Sequence, residues 1–284
     1  MIRVLGLCVG LLLGSGLGLA EKAVDATFYG YVDSDVCARV MLGPVTDKRI
    51  ECSKETAKKG SRPVVVRGSD NAIFNVKNRK TVKKMVGDFA KISGKTKVKS
   101  GSIKIDSAEA VERNALPADA VAANLMDVRN YRTSGDRVYE QVRHTLAMMP
   151  YISNFDFISF ALAGDEVILT GWTVRITNRQ EAYRRVKQIE GVSQVTNNID
   201  VLPMGSMDMQ IRAQTGARLV RMLGQYFWGN GSDIKIIVKN GDIILLGNVT
   251  RQGDKDIANI QANTVPGAFH VFNLLRVTPS KKEG

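Results

Sequence analysis

Val167-Ile168-Leu169-Thr170-Gly171 returns 76 residues later as Ile243-Ile244-Leu245-Leu246-Gly247, and this recurrence decides how the chain is read. Ahead of it, Ile158, Phe160 and Leu162 match Ile234, Ile236 and Val238. Behind it, Ala182, Val186 and Ile189 match Ala258, Ala262 and Val265. The register continues through Gly191, Val195, Asn197, Ile199 and Val201 against Gly267, Val271, Asn273, Leu275 and Val277. Such a long ungapped self-match marks a duplicated structural unit.

Each copy has a physical reading. Ile158, Phe160 and Leu162 alternate with the period of a half-buried strand. Gly164-Asp165 and Asn240-Gly241 supply hairpin turns, Asn-Gly being the strongest short signal of one. The returning strand ends at Gly171 or Gly247. Asn178 and Asp254 are suited to cap a following helix, with Glu181 placed to complete a capping box in the first copy. The helix closes near Gly191 or Gly267, and a last strand spans 195–201 or 271–277. A strand, a crossover helix and a strand lie parallel with a right-handed connection. An amphipathic helix precedes each unit, on Val138, Val142 and Leu146 and, at an offset of 77, on Thr215, Leu219 and Leu223, so the register before the first strand stays open.

The order α-β-β-α-β, with these strand ends and the closing stretches Gly191-Val-Ser-Gln-Val-Thr-Asn-Asn-Ile-Asp-Val201 and Gly267-Ala-Phe-His-Val-Phe-Asn-Leu-Leu-Arg-Val277, resembles the BON domain family. Ala268 departs from the usual Val. The resemblance implies a bacterial periplasmic protein associated with phospholipid or envelope binding, not an enzyme. It covers about half the chain, with repeats at 136–203 and 208–279, each a three-stranded mixed sheet with two helices on one face.

The N-terminal third is different. The chain carries a formal charge of +12, and residues 21–112 hold most of the excess, with 19 basic against 12 acidic side chains. Strand signals at 27–32, 63–67, 72–76, 96–98 and 103–106, with a helix over 80–89, predict a small OB-like β-barrel over 21–106. The fold class is therefore α+β. The stretch Gly30-Tyr-Val-Asp-Ser-Asp-Val-Cys37, with Cys52 and Lys58-Lys59-Gly60, resembles small exported OB-like domains of envelope proteins. That pattern often carries a further Cys four residues after the second and a His between them. Thr56 stands at the first place and no His lies between Cys37 and Cys52, so no metal is expected. Residues 107–135 read as a linker with one short helix over 118–126, and a second hinge lies at 203–206.

Met1-Ile2-Arg3, an apolar run to about Leu13 and small residues up to Ala20 have the pattern of a cleavable signal peptide, with cleavage near Ala20 and a periplasmic product. Export would place Cys37 and Cys52 where a disulfide is permitted. Two readings stand, a bridge or two buried thiols.

Motifs for catalysis are not found: the two histidines, His144 and His270, lack ligand-spaced partners, and no nucleophile elbow, phosphate loop or zinc-protease motif occurs. No cofactor and no metal are expected. Asp33 and Asp35 are too few carboxylates for a calcium cage. Gly229-Asn-Gly231-Ser-Asp233 could form an anion nest or be a plain loop. Tyr226-Phe227-Trp228, after the second repeat's first helix, suits a bilayer interface, with Arg218 and Arg221 for lipid headgroups. The other reading is that these aromatics close the core. Met149-Pro-Tyr-Ile152 occupies a similar place in the first repeat. Lys80, Lys83 and Lys84 with Lys95, Lys97 and Lys99 form either a patch for polyanions (lipid phosphate or polysaccharide) or a solvated face that keeps an edge strand from pairing.

The expected function is non-enzymatic binding of anionic phospholipid at a membrane surface. An envelope chaperone or protein-interaction module using sheet edges and the inter-repeat cleft is the alternative. Polyanion binding by the barrel is third. Nucleic acid is disfavoured as a partner, because an exported protein seldom meets it and the basic strands lack stacking aromatics.

Overall fold

The computed structural model describes residues 21–98, 100–116, 131–228 and 233–278. The expected leader, Lys99, the linker helix over 118–126 and the Gly-rich turn over 229–231 lie outside the described residues.

Five strands close a barrel: β1 (Val24–Ser34), β2 (Pro63–Arg67), β3 (Ile73–Val76), β4 (Phe89–Lys97) and β5 (Ser102–Val111), in the order β1-β2-β3-β5-β4. All pairs are antiparallel except β3 with β5. Val32, Val65, Phe74, Ile92, Ile103 and Ile105 fill the interior. β5 runs on to Val111, past the expected end of the barrel at 106.

The helix expected over 80–89 is not formed. Two 3-10 turns, Arg79–Thr81 and Lys83–Met85, take its place, and Phe89 opens β4. The chain here pairs with β1 instead, the Gly87 amide donating to the Val32 carbonyl and the Val32 amide to that of Asp88. Two successive turns satisfy the same apolar spacing, sending Val82 and Val86 into the barrel core. Gly87, at φ +99°, then swings the chain into β4.

Two unexpected helices sit between β1 and β2: α1 (Asp35–Val40) and α2 (Asp47–Lys58). Ser34 and Thr46 cap them, their hydroxyls accepting from the amides of Cys37 and Arg49. A disulfide joins Cys37 of α1 to Cys52 of α2, with 6.1 Å between Cα atoms. Closing a loop of this span contributes about 3 kcal/mol through the unfolded chain. Reduction, or paired Ser substitution, is expected to lower the barrel's thermal midpoint, and a melt followed by barrel-specific signals would check it.

The first repeat consists of α3 (Arg137–Ala147), β7 (Phe157–Ala163), β8 (Glu166–Thr173), α4 (Ile176–Lys187) and β9 (Gln194–Val201), with a short β6 (Tyr131–Arg132) added beside β7. The second consists of α5 (Ser206–Leu223), β10 (Ile234–Lys239), β11 (Asp242–Val249), α6 (Gln252–Asn263) and a last strand in two pieces, β12 (His270–Asn273) and β13 (Arg276–Val277). In both, the hairpin is antiparallel and the closing strand parallel. The 76-residue register holds from hairpin to last strand. Gly171 and Gly247 sit at φ +117° and +114°, where a Cβ would fall 2.0 and 1.7 Å from the carbonyl oxygens of Phe157 and Asp233. Both positions therefore require glycine.

The second helix of each repeat starts three residues earlier than expected, at Ile176 and Gln252, after Arg175 and Arg251, which make no side-chain cap bond. Asn178 is buried in the first turn and donates to the Tyr151 carbonyl, while Glu181 pairs with Arg184 and Arg185, so no capping box forms. Side-chain contacts to the preceding loop have replaced capping at this position.

On the helix side of each sheet lies one core, built on Val142, Leu162, Leu169 and Val186 in the first repeat and on Leu219, Ile236, Leu245 and Ala262 in the second. The opposite face of the second sheet is covered too. Ile237, Ile244, Leu246 and Phe272 pack with Trp172 and Leu202 of the first repeat and with Val36 of α1. Helix α1 is thus a wedge between the two repeats.

Candidate functional site

Helix α5 presents Thr215, Leu219 and Leu223 to the core, the stripe expected from the sequence, and Ile211 one turn earlier. It ends in a 3-10 turn, Gly224–Tyr226. Tyr226 is buried, and its hydroxyl donates to Asp254 Oδ2 at 2.6 Å while accepting from the Thr250 amide at 2.9 Å. It therefore belongs to the core and leaves the set of surface residues expected from the sequence. Phe227 packs half-buried against the same core. Trp228 alone of the three turns outward, 75% exposed. Its indole lies beside Gly224, with Nε1 3.2 Å from where a Cβ would stand.

The two arginines part company. Arg218 is half-buried and donates to Thr264 Oγ1 at 3.2 Å. Arg221 stands exposed in the last turn of α5, beside exposed Met222, where a cation also complements the helix C-terminus. An exposed indole on a fixed base, following a helix whose last turn exposes a guanidinium and an apolar side chain, is suited to a surface that is apolar below and anionic above.

On the barrel, Lys80, Lys83 and Lys84 are exposed on the 3-10 turns, and Lys95 and Lys97 on the outer side of β4. Lys104, not singled out in the sequence, links the two groups. It stands directly opposite Lys95 in the β4–β5 register. Its neighbour Ile105 exchanges backbone hydrogen bonds with the Asn78 side chain at the foot of the turns. Asp25 flanks Lys95 from β1. β4 is paired on both sides in a closed barrel, so the reading of its lysines as guards of an open edge is overturned.

The acidic pair Asp33 and Asp35 has other partners. Asp33, fully buried, accepts from Arg49 Nε at 2.8 Å, from the Ser34 amide and from the Ser53 hydroxyl. Asp35 accepts from Arg39 Nε at 2.7 Å and from Lys239 Nζ at 2.6 Å. Burial alone would raise its carboxyl, but Lys239 and Arg39 together hold it well below the usual carboxylate range. Lys239 also meets Asp200 at 2.6 Å, and Arg39 Nη1 donates to the Asn198 carbonyl at 2.5 Å. Four charges from three domains thus neutralise one another around α1. Sequence reading missed this cluster because its members are spread over more than two hundred residues.

Among the described residues no group of His, Cys, Asp and Glu is placed to hold a metal, and no helix is long and apolar enough to cross a membrane.

Residues 136–203 and 208–279 each match the BON domain family. Two solved structures of CdsD, a structural protein of the Type III secretion system of Chlamydia trachomatis, are similar at low level. The C-terminal domain is 10% identical, covering 52% of this chain and all of that one at a TM-score of 0.22. The other is 13% identical, covering 51% of this chain and 93% of that one at 0.19. Scores of this size do not show a shared overall fold. No curated protein matches the chain.

Proposed function

Because this chain is a tandem BON-domain protein, we propose that it is a non-enzymatic protein of the bacterial cell envelope that holds to anionic phospholipid through the exposed end of its second repeat. BON domains are associated in general with membrane and phospholipid binding. The Cys37–Cys52 disulfide fits the oxidising compartment that this reading requires.

The observation that carries it is Trp228. Leaving an indole 75% in water is costly unless something covers it, and aromatic rings are favoured at the bilayer interface. Arg221, exposed in the last turn of α5, would add about 1 kcal/mol near an anionic surface. The lysine strip of the barrel, Lys95 with Lys104, and the overall charge of +12 would contribute longer-range attraction. A client-holding role is less well supported. α1 packs Val36 into the junction between the repeats, the edge of β10 receives the Asn154 carbonyl, and Asn198 of β9 is bonded to the barrel.

The chain has two tryptophans, one fully buried and one exposed, so intrinsic emission reports on Trp228. Phosphatidylglycerol vesicles should shift the emission to the blue and sediment the protein, less so at high salt. Zwitterionic vesicles should do neither. Trp228→Ala should weaken binding about tenfold or more, from the 1.5–3 kcal/mol of a large apolar side chain buried, without changing the thermal midpoint. Binding unchanged by the substitution, or indifferent to lipid charge, would remove the proposal.

A further inference from the structure

The two repeats have unequal sequences at the end where Trp228 sits, yet they expose the same kind of side chain there. Before the first strand the copies align at 77 residues: Val138, Val142 and Leu146 fall on Thr215, Leu219 and Leu223. Carried past the helix, this register places Met149 on Tyr226 and Tyr151 on Trp228. The structure agrees at both of these positions. Met149 and Tyr226 are both buried, and Tyr151 is 78% exposed against 75% for Trp228.

The second helix of each repeat fastens this turn at a different point: Asn178 of α4 donates to the Tyr151 carbonyl, and Asp254 of α6, 76 residues on, accepts from the hydroxyl of Tyr226, two residues before Trp228. Arg175 and Arg251, equivalent residues before those helices, are both exposed. Met148, three residues before Tyr151, and Ile176, in the first turn of the helix whose Asn178 reaches the Tyr151 carbonyl, are exposed apolar side chains, as is Met222 at the end of α5. Tyr151 is also held at φ +63°, a conformation an ordinary side chain adopts only at some cost. The loop after it is fastened to the second repeat: the Asn154 carbonyl accepts from the Ile236 amide at 2.7 Å, and Phe155 packs into the second repeat's core. β10, which receives this loop, is the strand that follows Trp228 in the chain, so the loop that carries Tyr151 is fastened to the repeat that carries Trp228.

We propose that Tyr151, flanked by Met148, Ile176 and Arg175, is a second bilayer anchor equivalent to Trp228, so that the protein grips an anionic phospholipid surface through both repeats at once. This rests on the lipid reading above and adds bivalency to it. Two joined contacts bind more tightly than either alone without any new interaction.

The test uses Tyr151→Asn, because Asn tolerates the left-handed backbone that Tyr151 occupies. With phosphatidylglycerol vesicles, Tyr151→Asn and Trp228→Ala should each weaken binding about tenfold or more, and the double variant should not sediment. A Trp228→Phe/Tyr151→Trp protein should show a blue shift from position 151. Tyr151→Asn that binds like wild type while Trp228→Ala is weakened, or an unshifted emission from position 151, would overturn the second anchor and leave the first. A wild-type chain that ignores anionic vesicles would overturn the lipid reading itself.

Discussion

Arg39→Ala should destabilise the protein by about 3–5 kcal/mol and free the barrel from the BON domains, because removing one member of a buried charge cluster leaves the others uncompensated. Arg39 is 2% exposed and bonds Asp35 of its own helix, the Asn198 carbonyl of the first repeat and, at 3.5 Å, Asp200. Its guanidinium also lies 5.9 Å from the centre of the Trp172 ring. Without it, Asp35 and Asp200 share Lys239 alone. Urea denaturation would give the loss, and small-angle scattering the separation of the domains. Arg39→Met combined with Asp35→Asn, which restores neutrality, should be milder than Arg39→Ala. Equal loss from both would mean that packing, not charge, holds the junction.

The same cluster sets an acid limit. A carboxylate held below its unfolded value contributes stability that is present above about pH 4 and is lost only as the pH falls through its lower folded value. Asp35 is depressed in this way. Docking of the barrel should therefore persist at mildly acidic pH and fail only under strongly acidic conditions, which scattering across a pH series would reveal.

Trp172→Ala should cost a further 3–5 kcal/mol or so, by lost burial and the cavity left behind. Trp172 is fully buried where the first repeat, the second sheet and α1 meet. Trp172→Phe, which keeps a ring in place, should lose much less and leaves Trp228 as sole emitter. Its folded emission should then be that of a water-exposed indole. A stable Trp172→Ala protein with domains still docked would show that the junction does not depend on this side chain.

Much of the fold was legible because its signals are local. Asn240-Gly241 specifies a tight hairpin, and strands β10 and β11 meet it on both sides. Gly171 and Gly247 mark where backbone comes too close for a Cβ. The caps of α1 and α2 were written in Ser34-Asp35 and Thr46-Asp47 too, but both helices lack the apolar period that would have drawn notice. The segment over 80–89 had that period and formed no helix, because β1 claimed its backbone hydrogen bonds.

The candidate site divides along the same line. Which aromatics lie in the second repeat's turn is a matter of sequence, but that Tyr226 enters the core and Trp228 leaves it depends on Asp254 and Thr250 from elements more than twenty residues away. Lys95 and Lys104 became neighbours only through strand register.

By itself the sequence determined the duplication, the hairpins and the barrel class, since period, turn chemistry and glycine act within a few residues. Only tertiary structure decided that the second sheet is buried on both faces, that α1 wedges the repeats and that four scattered charges cancel there. Burial and charge pairing are set by what lies close in space, and distance along the chain says little about that.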